Sequence, residues 1–317
     1  MPNRRRGFVR CAFAVFAAGL TSLALGSTDV AQADARILAS SLVVYDNNIE
    51  NMVPVSCYGD NYDLMIAYLK ARPTGPDIFT VQQISNSAQL ATLTKRLSDE
   101  LPGNYAGKIA IASPGSMGYT STCGKLKNQQ TNAVIYRSDR LAFQDSTTWR
   151  SDAPADPEEG TGGCQNLEPT ATSQDRVQNI AVRLHDNIAD ADVTVASIHW
   201  PTGTWHGPDC AAENMDEANQ AVDRLGGSLK IVAGDTNATT GSADWWEESQ
   251  GYGFRDPIAE KCGARVCSSA YNTTTNHRID FLLAKGASGF SNVATVTEAM
   301  AGGRYSGHRA VTAYVNY

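Results

Sequence analysis

Leu229-Lys230-Ile231-Val232-Ala233-Gly234-Asp235-Thr236-Asn237-Ala238-Thr239 is the stretch from which the rest of the chain can be read. A short apolar run of β-forming residues ends in a glycine, then offers a carboxylate and an amide two positions apart. Side chains i and i+2 of an extended chain leave it on the same side, so Asp235 and Asn237 are expected together at the end of a buried strand. An ordinary strand end closed by an Asx-type turn has the same sequence. What separates the two readings is the company the stretch keeps.

Working outward, other apolar runs also end in polar residues. Ser41 to Tyr45 reads as a strand leading into Asp46-Asn47-Asn48-Ile49-Glu50-Asn51, and Pro76 to Val81 as a strand delivering Gln82 and Gln83. Val193 to His199 ends in a histidine, while Asn132 to Tyr136, Val177 to Leu184, Arg278 to Leu283 and Ala310 to Val315 are further strands. Helical spacing marks Tyr62 to Leu69, the leucines at 90, 93, 97 and 101, and Glu213 to Leu225 with Met215, Ala218, Val222 and Leu225 on one stripe. Strands outnumber helices without alternating regularly. That predicts an α/β (α+β) sandwich of two packed β-sheets flanked by helices, not a doubly wound parallel sheet. No linker composition and no internal repeat divides the chain, so residues 34–317 are expected to form a single domain. Ser151 to Ser173, with Pro154, Pro157 and several acidic residues and glycines, reads as a solvated loop pinned by Cys164.

Residues 1–33 read as an export signal. Arg4, Arg5, Arg6 and Arg10 precede an apolar run from Cys11 to Leu25, and Ala31-Gln32-Ala33 offers a small-residue cleavage site. The run is short for a membrane span, so a secreted chain without stable membrane insertion, and a monomer, is expected. Arg5-Arg6 leaves general and twin-arginine export both open. Without this segment, 22 basic and 32 acidic residues remain, because four arginines and Asp29 leave with it. Such a chain has no overall attraction for phosphate backbones, so binding nucleic acid requires a local basic patch or bound cations. Six cysteines remain, an even number suited to disulfides; Cys262 with Cys267 would close a short loop, and spacing leaves the rest unassigned.

Asn48, Gln83, His199, Asp235, Asn237, Asp280 and His308 thus recur at strand ends. Brought together, they could place a water, orient a phosphoryl oxygen and protonate a leaving alkoxide, with His308 and Asp280 as base and orienter and His199 as acid. Taken singly, each is also an ordinary polar residue where a strand meets a loop. His185, His206 and His277 match no pattern and read as structural.

Asn48-Ile49-Glu50-Asn51, Pro76 to Gln83, His199, Gly234-Asp235-Thr236-Asn237, Arg278-Ile279-Asp280 and Ser306-Gly307-His308 fall in an order that resembles the endonuclease/exonuclease/phosphatase superfamily. That superfamily includes DNase I-like nucleases, bacterial sphingomyelinases and inositol-phosphate phosphatases. The resemblance implies a DNase I-like four-layer sandwich and cation-assisted hydrolysis of phosphoesters. By position it puts Asn48 near metal and phosphate, has Asp235 and Asn237 position water and oxyanion, and makes His199 an acid or phosphate ligand. It also pairs Asp280 with His308 and turns Arg176 toward phosphate. Two positions depart from the pattern. Gln83 stands where the superfamily carries a metal-holding glutamate, and Gly307 where it carries the aspartate of Ser-Asp-His. Magnesium is held chiefly through carboxylates, so the metal site, with Asn48 and Gln83 as its remaining ligands, is expected to be weakened or lost.

A secreted phosphodiesterase, nuclease-like and with reduced or no dependence on magnesium, follows as the leading expectation. Lys125, Lys127 and Arg176 could then stand in for the metal charge. A phospholipase C- or sphingomyelinase-like enzyme acting on lipid head groups and an inactive binding protein of the same fold are the alternatives. A lipid enzyme would expose an apolar loop, for which Trp200, Trp205 or Trp245-Trp246 are the candidates. Trp200 is expected in the core, and Trp245-Trp246 on an acidic amphipathic helix.

Overall fold

The strands of this chain are apolar on both faces where they run through the middle of a sheet and polar where they end. The computed structural model describes residues 41–52, 62–115, 129–151, 172–201, 208–242 and 244–317. Residues 1–33, most of the Ser151–Ser173 loop, Lys125, Lys127, Trp205 and His206 lie outside them. Ala39–Tyr317 is one compact unit.

Among the described residues the strands are β1 (Ser41–Asn48), β2 (Ile78–Ile84), β3 (Tyr105–Ile109), β4 (Thr131–Arg137), β5 (Leu141–Arg150), β6 (Gln178–Asp186), β7 (Ala191–His199), β8 (Leu229–Asp235), β9 (Phe254–Arg255), β10 (Asp280–Lys285), β11 (Gly289–Thr295) and β12 (Val311–Asn316). They form two six-stranded sheets, ordered β11-β12-β1-β2-β4-β3 and β5-β6-β7-β8-β10-β9. Each sheet has one parallel pair at its centre, β1 with β2 and β7 with β8, and is otherwise antiparallel. The two sheets are therefore wired alike.

Alternation within each strand sorts its side chains into layers. Leu42 and Val44, Val193 and Val195, Ile231 and Ala233, and Ala313 and Val315 face inward and fill the space between the sheets. Their neighbours face outward. Tyr45, Phe79 and Ile135 meet helices α1 (Asp63–Lys70) and α2 (Ser87–Glu100), with Met65, Leu93 and Leu97 closing that layer. Ile198, Val232 and Leu283 meet α3 (Pro208–Leu225) and α4 (Asp244–Gly251), through Met215, Val222 and Trp245. Helix α2 starts where the side chain of Asn86 accepts the backbone N–H of Gln89, a capping bond worth about 1 kcal/mol. The expected α/β sandwich is the one observed.

Trp200 and Trp245 are fully buried, and Trp245 lies on the acidic helix α4. The Cα atoms of Cys262 and Cys267 are 5.9 Å apart, as a disulfide between them requires. No described helix is long and apolar enough to cross a membrane.

Polar contacts pin the sheets to each other at both ends. At one end, Arg140 is buried and donates to Asp186 of β6, to Asp77 just before β2 and to the carbonyl of Ser41, while the Tyr317 hydroxyl donates to Asp186. Toward the other end, Ser197 of β7 donates to the carbonyl of Val81 at 3.0 Å and accepts from Gln82 of β2 at 3.1 Å. The candidate site lies just beyond that second layer.

Candidate active site

Strand register builds the site. His199, at the end of β7, is paired with Asp235 at the end of β8, and Asp235 is paired with Asp280 at the start of β10. Directly paired residues project on the same side of a sheet, so these three side chains form a row across one end of the sandwich. Gly234 allows the strands to come this close: its φ is +146°, and a Cβ there would lie 2.0 Å from the carbonyl oxygen of Ile198.

The facing sheet completes the row. Asn48, the last residue of β1, donates its Nδ2–H to Asp235 Oδ2 at 3.0 Å. His308, just before β12, donates its Nδ1–H to both oxygens of Asp280, at 3.1 and 2.9 Å. Its Nε2 points back to Asp235 Oδ2 at 3.8 Å, and His199 Nε2 reaches the same oxygen at 3.6 Å. One carboxylate oxygen is thus approached by an amide and two imidazoles.

The two histidines differ in charge. Burial depresses the pKa of His199 to about 4, with Arg176 and His308 adding to the effect and Asp235 opposing it. Burial also acts to lower His308, but the charges of Asp280 and Asp235 and the hydrogen bond to Asp280 outweigh it and raise His308 to about 10. Burial and the neighbouring Asp280 raise Asp235, against the two histidines and the Asn237 N–H. At neutral pH His199 is therefore neutral and His308 an imidazolium, the opposite of the charges that a His199 acid and a His308 base would need.

The other expected residues are placed as follows. Asn237 does not continue the strand: its φ is +49°, its N–H closes an Asx turn on Asp235 Oδ1 at 2.9 Å, and its Nδ2 donates to the carbonyl of Trp200. The extended i, i+2 geometry stops at Asp235, and the Asx turn read from the sequence is the one observed. Asn48 is fully buried, with Nδ2 committed to Asp235 and Oδ1 accepting the N–H of Glu50, so it fixes Asp235 from inside the protein. Arg176 stands near enough to His199 for its charge to act on the ring. Gln83 sits in a bulge of β2 with φ +58°, and its Oε1 accepts from Gln130, which also donates to Asn51. His185 pairs with Asp192 on β7, clear of the row.

Sequence reasoning passed over two carboxylates. Asp46 shares the inward parity of Leu42 and Val44 on β1 and lies beneath the row, fully buried, accepting from Thr80 and Gln82. Burial and the charge of Asp280 push its pKa well above the usual carboxylate range. Glu50, two residues past Asn48, turns its carboxylate against Gly307 and accepts that residue's N–H at 2.6 Å. The parity of Asp46 is readable in the sequence; the approach of Glu50 to Gly307 depends on two distant loops.

Asp235, Asp280 and His308 offer donor atoms within 4.8 Å of one another, a spacing that a metal ion could bridge. His308 enters that trio with its Nδ1–H already given to Asp280. An imidazolium is no ligand, so a magnesium-like ion here would depend on hard oxygen donors: the Glu50 carboxylate, which meets the Gly307 loop, is the anionic candidate, while Asn48 Oδ1 and Gln83 Oε1 each already accept a hydrogen bond. Oxygen donors of this kind suit a hard divalent cation. At position 307 the Glu50 carboxylate fills the space of a side chain: a Cβ there would lie 2.7 Å from either Glu50 oxygen.

No family model matches the sequence, and no curated protein is similar to it at sequence level. Solved structures do resemble it. The human Nocturnin catalytic domain with bound sulfate anion aligns with a TM-score of 0.61 at 16% identity, covering 87% of this chain and 94% of that one. An endonuclease/exonuclease/phosphatase from Bacteroides vulgatus aligns at 0.56 and 16% identity over 87% of this chain and 98% of that one. TDP2 of D. rerio complexed with single strand DNA product aligns at 0.54 and 14% identity over 88% of this chain and 100% of that one. These likenesses show the fold: the chain is a DNase I-like sandwich of two six-stranded sheets flanked by helices.

Proposed function

We propose that the chain is a phosphoester hydrolase, a nuclease-like phosphodiesterase exported through its residues 1–33. The observation that carries the reading is the convergence of Asn48, His199 and His308 on Asp235 Oδ2, with His308 oriented by Asp280. In such a site Asp235, made more basic by burial, takes the proton of an attacking water as the new P–O bond forms. His308 gives its Nε2 proton to the departing alkoxide as the old P–O bond breaks. The 3.8 Å between Asp235 and His308 then lets the proton return and resets both groups. Asp280 keeps His308 charged and aimed, and Arg176 contributes positive charge on the His199 side. A divalent cation held through Glu50 would add Lewis-acid polarisation of the phosphoryl oxygens.

Two features support a nucleic-acid-like diester over a lipid. Among the described tryptophans none is an exposed apolar platform, since Trp200 and Trp245 are fully buried and Trp149 and Trp246 half-buried. The similar structures are named with a bound sulfate and a single strand DNA product, both carrying tetrahedral oxyanions.

The test is hydrolysis of plasmid DNA, RNA, sphingomyelin, phosphatidylcholine and a chromogenic phosphodiester, with magnesium and with chelator, against an Asp235→Asn control. Turnover of a nucleic acid that the control lacks supports the proposal. Turnover of sphingomyelin alone moves it to the lipid reading, and no turnover of any diester overturns it.

A further inference from the structure

Gly307 and Glu50 are the two residues whose chemistry is explained only by each other. Both oxygens of the Glu50 carboxylate occupy the space a side chain at position 307 would enter, 2.7 Å from where its Cβ would stand. The N–H of Gly307 binds Oε2 at 2.6 Å; Oε1 takes no hydrogen bond among the described residues. Resting on the phosphodiesterase reading above, we propose that Glu50 is the anionic ligand through which this site takes a divalent cation, its carboxylate reaching across from the β1 turn to the place that residue 307 leaves open.

The turn that delivers Glu50 is built for it at a cost. Glu50 and Asn51 are consecutive non-glycine residues in the left-handed region, with φ of 45° and 64°. Such a conformation costs a residue with a long side chain on the order of 1 kcal/mol. Neighbours hold it in place. Asn48 Oδ1 accepts the Glu50 N–H at 3.1 Å, Ser306 Oγ donates to the Asn48 carbonyl at 2.6 Å, and Asn51 Nδ2 donates to Ser85 and to the Gln129 carbonyl. Ser306 also accepts the His308 N–H, so one hydroxyl ties the Glu50 turn to the loop carrying the imidazolium. A turn needed only for its backbone shape would be served better by glycine at position 50.

Charge points to the same ligand. Glu50, Asp280 and Asp235 all act on the His308 imidazolium, Arg176 lies on the His199 side, and no described lysine or arginine pairs with Glu50. A phosphodiester carries negative charge, and so does this mouth of the site. A divalent cation on the open oxygen of Glu50 cancels that repulsion and places a positive charge directly against the phosphoryl oxygens.

Binding of Mn2+ to the purified protein, followed by calorimetry and by the electron paramagnetic resonance of the free ion, tests this without reference to turnover. Glu50→Gln is expected to weaken Mn2+ binding by about tenfold or more. Glu50→Gly relieves the left-handed strain, so it should melt no lower than the parent while losing the ion, a combination that a purely structural Glu50 would not give. Gly307→Asp alone should clash with Glu50, whereas Glu50→Ala with Gly307→Asp returns a carboxylate to the vacated space and should restore binding to within a few fold. A parent that binds no Mn2+ at millimolar concentration, or a Glu50→Gln variant that binds it like the parent, overturns the proposal. Nucleic-acid turnover persisting in chelator with no Mn2+ bound would sink the Glu50 proposal and leave the phosphodiesterase reading standing. Mn2+ bound through Glu50 without hydrolysis of any diester would do the reverse.

Discussion

Replacing Asp280 by Asn tests the electrostatics of the site most directly. Asp280 accepts the His308 Nδ1–H with both oxygens, and the ring is raised from an ordinary 6.5 to about 10 against the opposing effect of burial. An opposite charge at this range accounts for roughly 1–3 pH units, and each unit corresponds to about 1.4 kcal/mol of preference for the charged ring. The asparagine keeps an acceptor for Nδ1–H and removes the charge alone. The His308 titration, followed by NMR of the imidazole carbons, should therefore fall by roughly 1–3 pH units in Asp280→Asn. Stability should change in the same sense. A histidine raised in the folded state contributes stability that is complete below its unfolded pKa and lost as pH rises through the folded one. The parent should therefore lose melting temperature between about pH 6.5 and pH 10, and the variant should lose less of it over that window. The alkaline limb of kcat/KM should move down together with the titration. An unshifted His308 in Asp280→Asn, or a parent His308 titrating near its ordinary value, would refute the reasoning.

Other perturbations separate the remaining contributions. His199 is depressed to about 4, so its contribution to stability is present above about pH 6.5 and lost as pH falls through 4; His199→Gln should flatten that acid-side loss in a pH series of thermal melts. Asn48→Ala removes the N–H that Asp235 Oδ2 accepts at 3.0 Å; it should cost roughly 1–3 kcal/mol in urea unfolding and move the acid limb of kcat/KM upward. Gly234→Ala drives a Cβ to 2.0 Å from the Ile198 carbonyl and should cost at least roughly 3 kcal/mol in the same assay. Trp245 packs edge-on against Trp200 at 5.5 Å and Phe281 at 4.9 Å, so Trp245→Ala should cost roughly 3–5 kcal/mol without changing the His308 titration.

What the sequence reveals of this fold follows from what each strand has to bury. Strands β1, β2, β4, β6, β7, β8, β10 and β12 all lie inside their sheets and all stand out as apolar runs. The four that escape, β3, β5, β9 and β11, are the sheet edges. Leu141-Ala142-Phe143-Gln144-Asp145-Ser146-Thr147 of β5 is exposed over most of its length, and only its backbone pairing with β6 makes it a strand. The row of His199, Asp235 and Asp280 is legible because each stands at one end of an interior run, the first two closing β7 and β8 and the third opening β10, and register does the rest. Glu50 is not, because its position depends on a left-handed turn and on the absence of a side chain at Gly307, far along the chain. The charges of the two histidines are equally hidden, since they depend on how many carboxylates each ring meets after folding.

The polar layer formed by Gln82, Ser197 and the Val81 carbonyl has a mechanical consequence. Apolar faces resist being pulled apart but offer little resistance to sliding, since contact area changes slowly with lateral displacement. Hydrogen bonds of 3.0 and 3.1 Å running from sheet to sheet are lost within a fraction of that displacement, and the Arg140 cluster applies the same constraint at the far end. The sandwich is thus stiff in shear as well as in separation. Asn48 comes from one sheet and Asp235 from the other, so that stiffness holds the distance between them constant.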